Sequence, residues 1–499
     1  MSIEEKSQYV SKELALNFHL MHPGGDSAPG DPNPAYFLDG TYHLHYILRH
    51  PWHGEQPSRV YRPQDKVRSY SFIHVTSPDM LHWTWEPTKL QPSFTGHGMF
   101  SGTGFFTKEG RPAAIYAGLS NPRNSYIIVA KNNRLSCWEK PFPVLPKGGP
   151  SGKDINLLGD PDCFLIGDTY YAFSAANDVP LFKSTDLKNW AYVGPMFKHH
   201  LPDVAIGEDV SCANFFELGG KWMLLCISHQ FGCRYYLGEW DPEVEQFVPE
   251  THERMNWKRP HQGIIKTEYR DFFAPESLLA ADGRRIMWAW LCTADPPLNL
   301  KSIQSLPREL KLADDGSLRI QPLRELESLR YSAKILKEIT VSSPDRPAHD
   351  NKGLQKITNL DGDAFEIRIT IDHKQTLRKR FGVLLFTNDE NDGLPIVIHP
   401  ETRTIRLGTV EAPFDVSNLS DKEDLDLRIF IDKYLVEVFA SNRQAVLTTY
   451  ADYQSANGLS AYCFGTSITF RKIEIWKLRP TNEGFFEAQK NPIWEPDAE

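Results

Sequence analysis

The sequence predicts an all-β protein in two parts, and three observations carry that expectation. Short aromatic and β-branched runs recur: Tyr42–Tyr46, Ser71–Val75, Ala113–Ala117, Tyr126–Ala130, Tyr170–Phe173 and Trp222–Ile227. Turn residues separate them, as at Asp39-Gly40, Gly167-Asp168, Gly219-Gly220 and Asp282-Gly283. Almost nothing shows helical periodicity. Across residues 30–310 a strand, a tight Gly/Asp turn and an aromatic strand return several times, a loose repeat of the kind propeller blades give. Beyond Leu336 the text changes to clean period-2 alternation in Ala364–Ile371, Phe381–Phe386, Leu427–Ile431, Val436–Phe439 and Ile468–Ile475. That is the pattern of antiparallel sheets with one wet face, so a β-sandwich is expected there.

The resulting division is a blade-bearing domain over 1–325, a linker over 326–336, a sandwich over 337–480 and a tail over 481–499. Glu325–Arg330 is the best short helix or linker candidate. The tail is expected to lie extended on the surface.

With 499 residues the chain can bury two cores. A net charge of -9 and the lack of a basic stripe argue against a nucleic-acid partner. No apolar run approaches a membrane span. The polar start Met1–Lys6 does not read as a secretory signal, and the seven cysteines contain no CxxC pair. They are expected as free thiols in a reducing, cytoplasmic setting, not as disulfides or a zinc site. His22, His43, His45, His50 and His53 are dense, but their spacing is not that of zinc ligands, so no metal is expected. No Walker A, G-x-S-x-G or dinucleotide fingerprint is present, so no cofactor is expected. The 12 Trp and 19 Tyr suit sugar stacking and an aromatic β core equally.

Three acidic segments stand at the starts of three separate strands. They are Gly30-Asp31-Pro32-Asn33-Pro34, Gly159-Asp160-Pro161-Asp162 and Gly207-Glu208-Asp209-Val210-Ser211-Cys212. An Asp-Pro pair is most often a turn that caps a strand. Three carboxylates so placed are also what furanoside cleavage needs: one attacks the anomeric carbon, one grips sugar hydroxyls and one protonates the leaving oxygen. Pro32 restricts the residue before it and so fixes how Asp31 is presented.

Seven further segments, in order, give the sequence a family likeness. Asn17–Pro23 leads into Asp31-Pro32-Asn33; then come Ser77–Trp83 with His74, Met99–Thr103, Tyr236–Asp241, Gly283–Trp290, Gln304–Leu310 and Val436–Ala440. Together they resemble glycoside hydrolase family 32, the invertase and fructanase family, over nearly the whole chain. The resemblance implies a five-bladed propeller with a central funnel, followed by a sandwich. It implies a retaining, exo-acting β-fructofuranosidase with small oligosaccharides as partners, Asp31 as nucleophile and Asp160 as transition-state stabiliser.

The resemblance also exposes departures. The family's arginine before the second aspartate is Gly159, its opening Trp and Asn are replaced by Ala28-Pro29-Gly30, and its glutamine after the second strand is Ile47. The residue before Cys212, a glutamate in the family, is Ser211, which cannot protonate a leaving alkoxide. Glu208 is favoured as the acid, through a bulge and its longer reach, and strand parity makes Asp209 the alternative. Either would need a raised pKa. Asn33, Trp52, Trp83, Phe100 and Ser101 are candidates for lining the funnel, and Glu276 for its rim. Another furanoside, a transferase reaction, or sugar binding without turnover are the competing expectations. The sandwich either stabilises the propeller or builds a funnel rim in a homo-oligomer.

Overall fold

The computed structural model describes residues 10–24, 30–49, 70–120, 122–149, 152–155, 157–176, 178–204, 207–257, 271–292, 298, 302–342, 353–376, 380–465 and 467–496. Five sheets, antiparallel except for one short parallel edge strand in the third, stand in a ring. Their innermost strands are Pro32–Leu38, Gly98–Phe106, Asp162–Ile166, Ser211–Leu218 and Phe273–Leu279. The first and fifth adjoin, as do each of the others in turn, so the ring closes into a five-bladed propeller. Each blade meanders outward from its inner strand; the fourth continues through Lys221–Ser228, Gly232–Asp241 and Gln246–Arg254.

The expected repeat is present, but as a conformation and not as a string of letters. Met80, Leu135 and Leu187 all adopt left-handed φ of 56–64° between the outer strands of the first three blades. In each case a buried tryptophan follows three residues later: Trp83, Trp138 and Trp190. Asp79 and Asp186 close the first and third of these turns by accepting two backbone N–H groups each, from Leu81 and His82 and from Lys188 and Asn189. Such local bonds make Asp a turn former.

The chain's beginning seals the ring. His22 N donates to Ser302 O, Gln304 N donates to Leu20 O, and Met21 bridges Ile303, so residues 20–22 extend the last blade.

The predicted linker over 326–336 is structured. Arg324–Leu329 forms a 3-10 turn, and Arg330–Val341 is already an edge strand of the sandwich. Two six-stranded sheets follow, packed through an aliphatic core that includes Ile367, Ile369, Val383, Ile396, Ile429 and Val438. The tail is not extended: Glu483–Lys490 is a helix with Phe485 and Ala488 buried. It sits close enough to the first blade that a side chain at Gly484 would strike the Trp83 carbonyl.

The seam between propeller and sandwich is both apolar and charged. Phe430, Tyr434 and Phe439 of the sandwich join Leu16, Phe272 and Leu326 in one core. Within it, Asp432 accepts from the backbone N–H groups of Asn17, Phe18 and His19 at 2.7–3.0 Å and from the His19 ring at 2.9 Å. Glu437 accepts from Leu306 N at 2.7 Å and Arg308 at 3.2 Å, with His19 Nε2 at 3.6 Å. Burial alone would depress the His19 pKa, but Asp432 and Glu437 raise it to about 9.

Candidate active site

The inner strands are irregular at one end of the ring, and the site is built from those irregularities. Register shifts fall at Asn33/Ala35, Phe100/Gly102, Ser211/Asn214 and Phe273/Glu276, all near strand starts. Asp160, Cys212 and Ala274 there adopt φ of 40°, 44° and 49°. Bulges of this kind re-aim side chains, and non-glycine residues in the left-handed region each cost about 1–3 kcal/mol, held by surrounding structure.

Asp31 is 5% exposed, immediately before the first inner strand. The Ser101 hydroxyl, from the second inner strand, donates to its Oδ2 at 3.0 Å. Asn33 is buried and bonded to backbone groups. Its amide donates to the Asp31 carbonyl at 2.8 Å and accepts from Gly102 N at 2.6 Å, tying the first two bulges together. A Cβ on Gly102 would strike the Ile115 carbonyl, so that second bulge requires glycine.

Asp160 comes from the third blade. Its Oδ2 accepts from Cys212 N at 3.3 Å, with Cys212 Sγ at 3.6 Å. Two residues on, Asp162 accepts from Phe215 N at 2.7 Å. The two aspartates thus pin both ends of the fourth-blade bulge. Burial raises the Cys212 thiol well above its ordinary pKa, and the Asp160 and Asp31 carboxylates add to that shift. Asp31, Ser101, Asp160 and Cys212 therefore meet in one place. Sequence reasoning used Cys212 only to set the alignment; its left-handed backbone, which turns it toward Asp160, leaves no mark in the sequence.

The acid candidates differ from expectation. Glu208 has a fully buried side chain, ion-paired with Arg234 and, at 2.6 Å, Arg254. Burial pushes its pKa up, but the two guanidiniums outweigh it and hold the carboxyl below its ordinary value. The requirement of a raised pKa is not met, and the residue braces the outer strands of its own blade. Asp209 is also held below its ordinary value, because His229 and Ser211 outweigh the effect of burial.

The remaining candidates separate cleanly. Glu276 is not on the rim: it is 2% exposed and accepts from Thr103 Oγ1 at 2.9 Å. Asn214 donates to the same Thr103 oxygen at 3.0 Å and receives a short bond from Ser277. These bonds link the second blade to the fourth and fifth across the axis, so they plug the channel. Burial raises the Glu276 pKa well above the carboxylate range and Asp162 to about 7, against the opposing pull of the buried Arg285 guanidinium. Phe100 is half-buried and meets Tyr70 edge-on at 5.4 Å. Trp83 is core, against Trp288. Trp52, His50 and His53 lie outside the described residues. His22, His43 and His45 are buried, with pKa values depressed by burial to about 3, 4 and 3. His43 bonds His74 at 2.9 Å and His45 the Pro34 carbonyl at 2.8 Å.

Residues 27–322 match the N-terminal domain of glycosyl hydrolases family 32, and residues 325–477 match its C-terminal domain. The chain belongs to that family. It is a glycosidase of the β-fructofuranosidase type. Among curated proteins it is 28% identical to raffinose invertase of Escherichia coli, over 87% of this chain and 88% of that one. It is 26% identical to levanase of Bacillus subtilis, over 95% of this chain and 72% of the levanase. Among solved structures, fructan 1-exohydrolase IIa from Cichorium intybus superimposes with a TM-score of 0.70 at 18% identity, covering 94% of this chain and 98% of that one. This likeness establishes the shared propeller and sandwich.

Proposed function

We propose that this family 32 protein is a retaining, exo-acting hydrolase of sucrose- or fructan-type oligosaccharides, working through a fructosyl-enzyme intermediate on Asp31. The observation that carries the reading is the Asp31 carboxylate, buried at the funnel mouth, oriented by the Ser101 hydroxyl and facing the same Cys212 as Asp160. A carboxylate fixed in this way loses little orientational freedom on attacking an anomeric carbon. Asp160 sits where it can accept bonds from sugar hydroxyls, and charge-assisted bonds of that kind tighten as positive charge develops on the ring. Relatives support the substrate class: the chicory exohydrolase is known in complex with 1-kestose, and a Bombyx mori family member with sucrose.

A second reading, a different furanose or leaving group, is favoured by one observation. Gly159 leaves space where the family places an arginine, and the Arg123 guanidinium stands 3.8 Å from the point a Cβ would occupy. A cation is therefore near that position but arrives from the second blade.

The test is product analysis on sucrose, inulin and levan oligosaccharides and nitrophenyl furanosides. Release of free fructose, absent in Asp31→Asn, is expected. Turnover of only a non-fructose furanoside would replace the substrate assignment; fructose release by Asp31→Asn at the wild-type rate would remove the nucleophile.

A further inference from the structure

The two carboxylates at the start of the fourth inner strand are spent on other partners, yet the leaving oxygen needs a proton. We propose that His229, oriented by Asp209, is the acid/base of this active site, an assignment that rests on the fructofuranosidase reading above.

Topology puts the histidine in the right place. Ser211–Leu218 runs away from the mouth, and Lys221–Ser228 returns to it with Ile227 opposite Ser211. His229 follows in the turn at that same end. Its ring meets Phe273, the first residue of the fifth inner strand, edge-on at 5.7 Å. The imidazole thus lies against the start of the fifth inner strand, at the end of the ring where Asp31 and Asp160 are presented, and its side chain is 46% exposed.

Asp209 fixes the ring at two points. The His229 backbone N–H donates to Oδ1 at 3.0 Å, and Nδ1 lies 2.6 Å from Oδ2. The Ser211 hydroxyl donates to that same Oδ2 at 3.0 Å. An ionised carboxylate only accepts, so Nδ1 carries a hydrogen and Nε2 is the atom that exchanges a proton. Ser211, unable to act as an acid itself, completes the support of the residue that holds one.

The step balances. As an Asp31 oxygen bonds to the anomeric C2, the C2–O bond breaks with its electron pair passing to oxygen, and His229 Nε2 gives that oxygen its proton. In the second half, neutral Nε2 takes a proton from water as the water oxygen bonds to C2 and the Asp31 carboxylate departs.

The experiment compares His229→Ala and the better-packing His229→Gln with the wild-type chain. Substrates are sucrose, which has a poor leaving group, and 4-nitrophenyl β-D-fructofuranoside, which needs no acid, each with and without azide. Loss of an acid/base typically costs about 10²–10⁴-fold. Both variants are expected to lose at least about 100-fold on sucrose and less than about 10-fold on the nitrophenyl substrate, and to form fructosyl azide in its presence. Equal losses on both substrates without azide rescue, or unchanged sucrose turnover, overturn the assignment. The same leaving-group pattern appearing in Glu208→Gln, and not in the histidine variants, returns the role to Glu208. If Asp31→Asn is inactive while the histidine variants are not, the fructofuranosidase reading stands and only the histidine falls. If the wild-type chain turns over neither substrate, both fall.

Discussion

The funnel mouth and the seam between propeller and sandwich both gather charged side chains, and they hold them in opposite ways. At the seam, Asp432, Glu437, Arg308 and His19 are buried and bonded to one another or to backbone N–H groups. At the mouth, Asp31 leads into the Asn33/Ala35 bulge and Asp160 takes a left-handed φ, and both carboxylates add to the effect of burial in raising the Cys212 thiol. The seam uses charge to fix the placement of two domains. The mouth keeps negative charge concentrated at the price of backbone strain. A buried ion pair is weak evidence of net stability, but breaking one partner leaves an uncompensated charge. Substitutions at the two places should therefore report on different quantities.

The largest effect should be Asp31→Asn. Turnover should fall by at least about 1000-fold with an unchanged melting temperature, measured by product assay beside a thermal melt. A large loss of stability instead would show that Asp31, like Asp432, is structural. Next comes Glu437→Ala, which strands Arg308 and leaves His19 with Asp432 alone. Unfolding free energy should drop by about 3–5 kcal/mol in urea titrations, while activity per folded molecule is retained.

The third prediction concerns pH. His19 has a folded pKa raised to about 9. Its contribution to stability is complete below its ordinary value near 6.5 and is lost as pH rises through about 9. Asp432 and Glu437 are held below their ordinary values against the effect of burial, so their contributions appear above those values and vanish as pH falls. Between neutral pH and about pH 9.5 the loss of the His19 contribution should lower the melting temperature by several degrees. In Glu437→Ala the alkaline part of that decline should flatten. The smallest effect is expected from Glu276→Gln. The plug carboxyl is kept protonated by burial, so an amide of the same shape should alter stability by less than about 1 kcal/mol and leave turnover nearly unchanged.

The alternation of Ile367, Ile369 and Ile429 made the sandwich legible, because a sheet with one buried face writes its period into the sequence. The blades were harder to read. Their shared turn lies in the left-handed φ of Met80, Leu135 and Leu187, and three different flanking sequences produce it. At the site, Asp31 and Asp160 could be found because Asp-Pro at a strand start is a local signal. His229 could not: its partner Asp209 is 20 positions away, and only the return of the second strand brings them together. Glu276 was misread for a related reason. Strand order says nothing about depth, and its partner Thr103 lies across the axis. Arg234 and Arg254, distant in sequence, reach Glu208 from the outer strands and hold its carboxyl below the ordinary value, which no local pattern announces.

The strip that seals the ring has a consequence for how the protein comes into being. Residues 10–24 rest on the fifth blade, on Asp432 and on the terminal helix, where Asn482 donates to the Leu16 carbonyl and Gln489 to that of Val10. The partners in the first of these bonds are 466 positions apart. At ribosomal rates of about 5–20 residues per second, the strip waits roughly 20–90 s for its last contact. The ring itself can close earlier, once Ser302 and Gln304 have been made, so the strip settles in two stages, first on the fifth blade and last on the terminal helix.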